Sequence, residues 1–283
     1  MKKISRFILI IAAAALFLTG CGETSVEKSG KSVVYTSFYA MNDFALTVGG
    51  DDIELYNIVP SGTEPHDFEP TASDMAKLSE ADIFIYNGAG MEHWAEDIAD
   101  TLPETVTVIC ASDAVEVTDA DPHVWLNLEN AKLQLQLICT ALSEADSENA
   151  DNYSQRTADY IAQIDAVKAE YENAGLSGKR LFVTHGAYSY LCDEFGMEQT
   201  ALEGISGDSD PSPAQMAKIV DEIKAEGAKC IFYDPLEGDK TANAVAAEAG
   251  IEALPLYTFE GDGEGRDYVT IMKENLNRLK DGI

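Results

Sequence analysis

Ile53-Glu54-Leu55-Tyr56-Asn57-Ile58-Val59, followed after Pro60 by Ser61-Gly62-Thr63-Glu64-Pro65-His66-Asp67-Phe68-Glu69-Pro70, is the stretch whose reading decides the fold. The first part is a largely apolar run of strand type. The second carries a glycine and two prolines, and proline fixes φ and pushes the preceding residue out of the helical region, so it reads as an irregular loop. A helical pattern begins near Thr71. One imidazole flanked by carboxylates therefore sits where a strand gives way to a helix. In open parallel α/β sheets that carboxyl end of the strands is the ligand crevice. The chain has four histidines, and three of them (His66, His123 and His185) follow strand-like runs. The fourth, His93 in Met91-Glu92-His93-Trp94, falls inside a helical pattern and reads as a surface or packing residue.

Outward from this stretch the same rhythm recurs. Ser32–Phe38 reads as a strand, Tyr39–Val48 as a helix closed by Gly49-Gly50, and Ile53–Val59 as the second strand. Thr71–Ala81 has Met75, Leu78 and Ala81 at helical spacing, with Thr71 or Ser73 as its cap. Strand-like Asp82–Asn87, helical Met91–Leu102 and strand-like Val106–Cys110 follow. Strands separated by single helices predict a parallel sheet. After Asp121-Pro122-His123-Val124-Trp125-Leu126-Asn127 the pattern changes: Leu128–Gly175 has no proline and no strand signal, and reads as two helices broken near Asp146–Ala150. The alternation then restarts, with strands expected at Arg180–Thr184, Glu198–Ile205, Cys230–Tyr233 and Leu254–Tyr257. Helices are expected at Gly186–Phe195, Ser212–Glu226, Lys240–Ala249 and Asp267–Lys280. The fold class is α/β: two lobes, each a mainly parallel sheet flanked by helices, joined by a long rigid helix, with the cleft between them as the ligand site. The expected division is an N-terminal lobe over 33–145, a connecting helix over 146–175 and a C-terminal lobe over 176–283.

Lys plus Arg number 19 against 50 Asp plus Glu, a formal charge of −31. Such a surface repels phosphate backbones and anionic lipid heads, which argues against nucleic-acid binding. The N-terminus is different. Met1–Arg6 is a positive n-region and Phe7–Phe17 an apolar run too short for a comfortable membrane span, ending in Leu18-Thr19-Gly20-Cys21. This resembles a bacterial lipobox, with 1–20 as the signal peptide and Cys21 as the lipidated mature N-terminus. Polar 21–32 reads as a flexible tether. Cys110, Cys139, Cys192 and Cys230 form no CxxC pair, so thiolate zinc and thioredoxin-type readings lack support, and their pairing stays open.

Neutral imidazole is the common nitrogen ligand of zinc, and a tetrahedral site takes four N, S or O donors. His66 and His123 belong to the first lobe and His185 to the second, so a shared ion would tie the lobes together; nearby acids including Glu64 are placed to orient the rings. The motifs Leu18–Cys21, Glu64–Pro70, Asp121–Leu126, Thr184-His185-Gly186-Ala187-Tyr188-Ser189-Tyr190-Leu191 and Leu256-Tyr257-Thr258-Phe259-Glu260-Gly261 resemble, in order along the mature chain, the metal-binding lipoproteins of bacterial zinc/manganese ABC importers (the cluster A-I solute-binding proteins). The resemblance implies two α/β lobes, one ion between them, and delivery of that ion to a membrane permease driven by an ATPase. It implies a monomer anchored through Cys21 to the outer face of the cytoplasmic membrane. It places His66, His123 and His185 at the three nitrogen-ligand positions and Glu260 at a fourth, carboxylate position, with Asp262 and Glu64 as alternative or supporting acids.

Manganese members of the family tend to carry a carboxylate where His185 stands. Three imidazoles and one carboxylate suit zinc, oxygen-rich sites suit manganese, and the Irving–Williams order points the same way, so Zn2+ is the expected cargo with Mn2+ as the alternative. Many zinc members carry a long His/Asp-rich loop between the first two ligands; here Ser112–Ala120 is short, acidic and without histidine. A zinc hydrolase is the rival reading, because three histidines and a water also describe a catalytic zinc. It needs an open coordination position beside a general base, which Glu260 would fill, and HExxH and GxSxG are absent. A surface adhesin is the third reading. The expectation is a binding protein, not an enzyme.

Overall fold

The computed structural model describes residues 30–206, 211–261 and 263–283. The signal segment, Cys21, most of the tether and Asp262 lie outside the described residues. Ser32–Ile283 forms one compact unit. Its first half holds β1 (Ser32–Thr36), α1 (Tyr39–Gly49), β2 (Ile53–Asn57), α2 (Ala72–Leu78), β3 (Ile83–Tyr86), α3 (Ala95–Ala99) and β4 (Thr107–Cys110). Two long helices follow, α4 (Leu128–Ala145) and α5 (Ala150–Glu172). Then come β5 (Arg180–Val183), α6 (Ser189–Phe195), β6 (Glu198–Ala201), α7 (Pro213–Glu226), β7 (Cys230–Tyr233), α8 (Lys240–Ala249), β8 (Glu252–Pro255) and α9 (Tyr268–Gly282).

All strand pairs are parallel, and the two sheets have the orders β2-β1-β3-β4 and β6-β5-β7-β8. Counted from its own first strand, the second sheet repeats the order of the first. In each sheet the crossover from the first pair to the third strand reverses direction, so each has a switch point at the carboxyl ends of its central strands. The strands are short, and the central ones are the most apolar. β3, Ile83-Phe84-Ile85-Tyr86, is buried along its whole length, as a central parallel strand covered on both faces must be.

Local chemistry sets the helix ends. Thr71 and Asp74 form a capping box at α2, and Ser212 and Gln215 form another at α7, where Pro213 stands at the first helical position. Asn127 caps α4 and Asp267 caps α9. Two helices and one strand begin or end differently from their sequence pattern. The pattern over Met91–Leu102 yields only α3, because Ala89 and Gly90 take left-handed φ angles of 56° and 87° and the Glu92 side chain accepts the Asn87 and Gly88 N–H groups. His93 therefore precedes the helix rather than lying within it, and it is exposed. The pattern from Gly186 yields a helix only from Ser189, because Gly186 N–H bonds Gly204 O and Tyr188 N–H bonds the Gln199 side chain. β8 ends two residues earlier than expected, at Pro255, which frees 256–261 to form a loop.

One apolar cluster runs from Val34, Phe44 and Phe84 of the first sheet region through Trp125, Ile138 and Ile164 to Val183, Leu191, Phe232 and Met272. A smaller one, including Phe182, Ile219, Ile223, Ile231 and Val245, fills the space between the second sheet and α7/α8. The 23-residue α5, about 35 Å long at 1.5 Å per residue, spans the two regions. At one end the Arg156 guanidinium bonds Val48 O and Gly49 O at the end of α1; at the other, Tyr171 OH donates to Met272 O of α9. Among the described residues no helix is long and apolar enough to cross a membrane.

Candidate metal centre

His66 stands in the loop after β2, His123 in the loop after β4, His185 two residues beyond β5 and Glu260 five residues beyond β8. These four side chains converge. Their ligating atoms lie within 4.8 Å of one another, and all four residues are buried (His66 6%, His123 0%, His185 1% and Glu260 2% exposed). His123 Nε2 lies 3.4 Å from His66 Nε2, 3.2 Å from His185 Nε2 and 2.9 Å from Glu260 Oε1. A regular tetrahedron with zinc-like arms of 2.0–2.1 Å has edges of about 3.3 Å. The three separations bracket that length.

The tautomers follow from the partners on the far side of each ring. Asp121 Oδ1 lies 2.7 Å from His123 Nδ1 and also accepts the His123 N–H. Glu237 Oε1 bonds His185 Nδ1. Carboxylates accept, so both Nδ1 atoms carry the proton and both Nε2 lone pairs face the centre. Glu260 Oε1 is buried without a hydrogen-bond donor although His123 Nε2 is 2.9 Å away. Lone pairs facing one another at such distances repel unless a proton or a cation sits among them, so the arrangement fits a candidate metal centre.

The charges agree. Burial disfavours imidazolium at His123, but Asp121 and Glu260 outweigh it and shift the group upward. At His185 burial is likewise outweighed, by Glu237 first and then Glu260, to about 10. Glu260 moves the other way: burial alone would raise it, yet His123, His185 and His66 hold it well below the usual carboxylate range. Glu64, desolvated and facing the Glu260 charge, is raised to about 9.

The scaffold behind the donors is rigid. Asp121 Oδ2 takes the Ser189 hydroxyl from α6, while Tyr190 OH donates to Asp121 O and receives the Thr118 N–H, so the residue that orients His123 also joins the two halves of the chain. Asn87, just past β3, donates to Pro122 O. The Glu260 loop is held by Asp234, which accepts the Thr258 N–H at 2.7 Å and the Thr258 hydroxyl, and by Trp125 Nε1, which donates to Thr258 O at 2.7 Å. Phe259, just before the carboxylate donor, sits at φ 68°, in the left-handed region.

Of the residues singled out in the sequence, His66, His123, His185 and Glu260 are brought together. Glu64 is beside them, its Oε1 accepting the His66 backbone N–H at 3.2 Å. The sequence reading did not single out Glu237 or Asp234. Their signal was present in Asp234-Pro235-Leu236-Glu237-Gly238, an acidic turn directly after the apolar run Cys230–Tyr233, the same arrangement that marked His66. Cys110, Cys139, Cys192 and Cys230 are all unpaired.

Comparison with known proteins gives a consistent result. Residues 34–282 match the family model described as zinc-uptake complex component A, periplasmic. The chain is 30% identical to the high-affinity zinc uptake system protein ZnuA of Bacillus subtilis (strain 168), across 98% of this chain and 97% of that protein. It is also 30% identical to the zinc-binding lipoprotein AdcA of Streptococcus pneumoniae serotype 4, across 99% of this chain but 61% of the longer AdcA. The fold superposes on the crystal structure of the Zn(II)-bound ZnuA-like domain of S. pneumoniae AdcA with a TM-score of 0.80 at 29% identity, covering 89% of this chain and 98% of that domain. These relatives are named for zinc uptake and binding, not for catalysis. The chain belongs to the family of periplasmic zinc-uptake complex component A proteins.

Proposed function

We propose that this protein captures one Zn2+ ion with His66, His123, His185 and Glu260 and delivers it to an ABC importer. The ion is cargo rather than a cofactor. The reading rests on one observation above all: four buried ligating atoms lie within 4.8 Å of one another, with His123 Nε2 2.9–3.4 Å from the other three. Three nitrogens and one oxygen make a zinc-type donor set, with manganese the weaker ligand. Because Glu260 takes the fourth position, no open site is left for a catalytic water, which removes the basis for the hydrolase reading.

The two lobes, 33–145 and 176–283 with the 146–175 connection, grip the ion between them, two donors from each. Lipidation at Cys21 holds the protein on the outer face of the cytoplasmic membrane, where as a monomer it meets the permease and its ATPase. The test is a chelator competition on protein starting at Gly22, stripped and reloaded, with bound metal counted by elemental analysis. One zinc per chain, bound more tightly than manganese and lost in His66→Ala, supports the reading. Tighter manganese than zinc overturns the cargo assignment, and the absence of stoichiometric metal overturns the site.

A further inference from the structure

The four donors are not held alike. Three sit in segments whose backbones are bonded across the fold. Pro122 O, beside His123, takes the Asn87 side chain. Thr184 N–H and Gly186 N–H, on either side of His185, bond Phe232 O and Gly204 O. Ahead of Glu260, Tyr188 OH donates to Leu256 O and Trp125 Nε1 to Thr258 O. The segment carrying His66 is different. Among the described residues the backbone–backbone hydrogen bond within 60–70 is Thr63 N–H to Pro60 O, and no other reaches this segment. The His66 N–H itself goes to Glu64 Oε1, two residues away. An aromatic contact joins the segment to the first sheet. Phe68, half-buried, meets the Trp94 ring edge-on with centroids 6.1 Å apart, and Trp94 in turn stacks on Phe84 of β3. The Trp94 N–H is buried without an acceptor among the described residues, so ring packing rather than a hydrogen bond keeps the indole there.

We propose that segment 60–70 is the door of the ion site, held shut by Phe68 seated on Trp94, and that His66 is the donor that leaves first. The proposal rests on the four-donor cluster being the ion's site. All four donors are at most 6% exposed, so an ion enters or leaves only when one of them moves. Moving His123, His185 or Glu260 breaks hydrogen bonds between distant elements. Swinging 60–70 outward leaves those bonds intact and parts an aromatic pair. Segments with few such cross-bonds are the ones that open at low cost, and ligand-binding loops are drawn from them. His66 is also the most exposed of the four, at 6% against 0–2% for the others. Glu64 travels with it, because its carboxylate takes the His66 N–H from within the same segment. Phe68 itself is a positioning residue: it sets how long His66 stays in the ion's coordination sphere.

The experiment loads the protein with zinc, counts the ion by elemental analysis, and follows its release into excess chelator by stopped flow. Phe68→Ala should still bind one zinc but release it about two- to tenfold faster, the factor that the loss of one aromatic pair corresponds to. Phe68→Tyr, which keeps the ring, should release zinc at the wild-type rate. Hydrogen exchange on the same zinc-loaded samples separates a door from a general weakening of the fold. In Phe68→Ala, exchange should quicken at 61–69 while 121–127, 184–186 and 256–260 exchange as in the wild type. Release from Phe68→Ala at the wild-type rate overturns the proposal, and so does exchange that quickens equally in all four donor segments. A wild type that takes up no stoichiometric zinc refutes the ion site itself, so the two failures are told apart before any variant is made.

Discussion

The two sheets have one topology and different cargo at their strand ends. After β2 and β4 the first sheet presents His66 and His123; after β5 and β8 the second presents His185 and Glu260. The loops after β4 and β8 are topologically equivalent, so His123 and Glu260 are counterparts, and they touch each other at 2.9 Å. The two halves differ in support as well. The first sheet packs against the large apolar cluster alone, while the outer side of the second relies on the small cluster under α7 and α8. A repeated scaffold therefore yields an asymmetric site, and the donor types rather than the topology decide which ion it holds.

The largest expected effect tests whether both halves are needed. His123→Ala and His185→Ala should each lower zinc affinity by more than about 100-fold, beyond the loss typical of supporting residues, measured by chelator competition. If only one does, the site belongs to a single sheet. Trp125→Ala comes next. The ring is fully buried and its N–H holds the Glu260 loop, so the change should cost about 3–5 kcal/mol in urea denaturation. A cost well below that would show that the central cluster does not couple the halves. Asp121→Asn and Glu237→Gln keep shape but weaken the hold on the Nδ1 proton, and each should reduce zinc affinity about 10–100-fold. Asp121→Asn should be the more harmful, because it also disturbs the Ser189 contact across the halves.

Proton release sharpens the comparison further. His185 is raised to about 10 and His123 upward, so the metal-free cluster retains protons at pH 7 that zinc must expel. Zinc affinity should fall as pH drops and should keep rising above the unperturbed histidine value near 6.5. Calorimetry in buffers of different ionisation enthalpy should record the released protons; a flat profile above pH 7 would break the argument. The sign for the metal-free fold is opposite. Raised imidazoles stabilise it below about pH 6.5 and lose that contribution as pH rises through their folded values. The smallest effect expected is that of Thr71→Ala, which removes the capping box of exposed α2, for about 1 kcal/mol in thermal denaturation.

Much of this was legible in the chain. Strands and helices showed as alternating apolar runs, the break between α4 and α5 showed near Asp146–Ala150, and three histidines after strand-like runs marked the centre. What local pattern cannot carry is pairing between distant segments. Nothing in 32–57 says that β1 sits between β2 and β3, an order that sets His66 and His123 in the loops after the two edge strands of one sheet, from which they converge. The late start of α3 arises from Glu92 closing a local turn on the Asn87 and Gly88 N–H groups, and that of α6 from Gly186 bonding the distant Gly204 O, a tertiary override of helical periodicity. Glu237 was hidden for the same reason: an acid in a turn gains its role only from the ring the fold puts beside it. Glu260 was found through the motif around it rather than through any spacing.

Phe259 gives the site a place in time. A bulky residue at φ 68° costs about 1–2 kcal/mol, so this backbone turn is not one the isolated segment favours. It is held by its ring packing edge-on against Tyr39 from the start of the fold and Tyr268 from the final helix. The histidines are all made before residue 186 of the chain, but the carboxylate is locked only once that last helix has docked on the first. A chain still emerging thus has the three imidazoles without the carboxylate that completes the proposed cage.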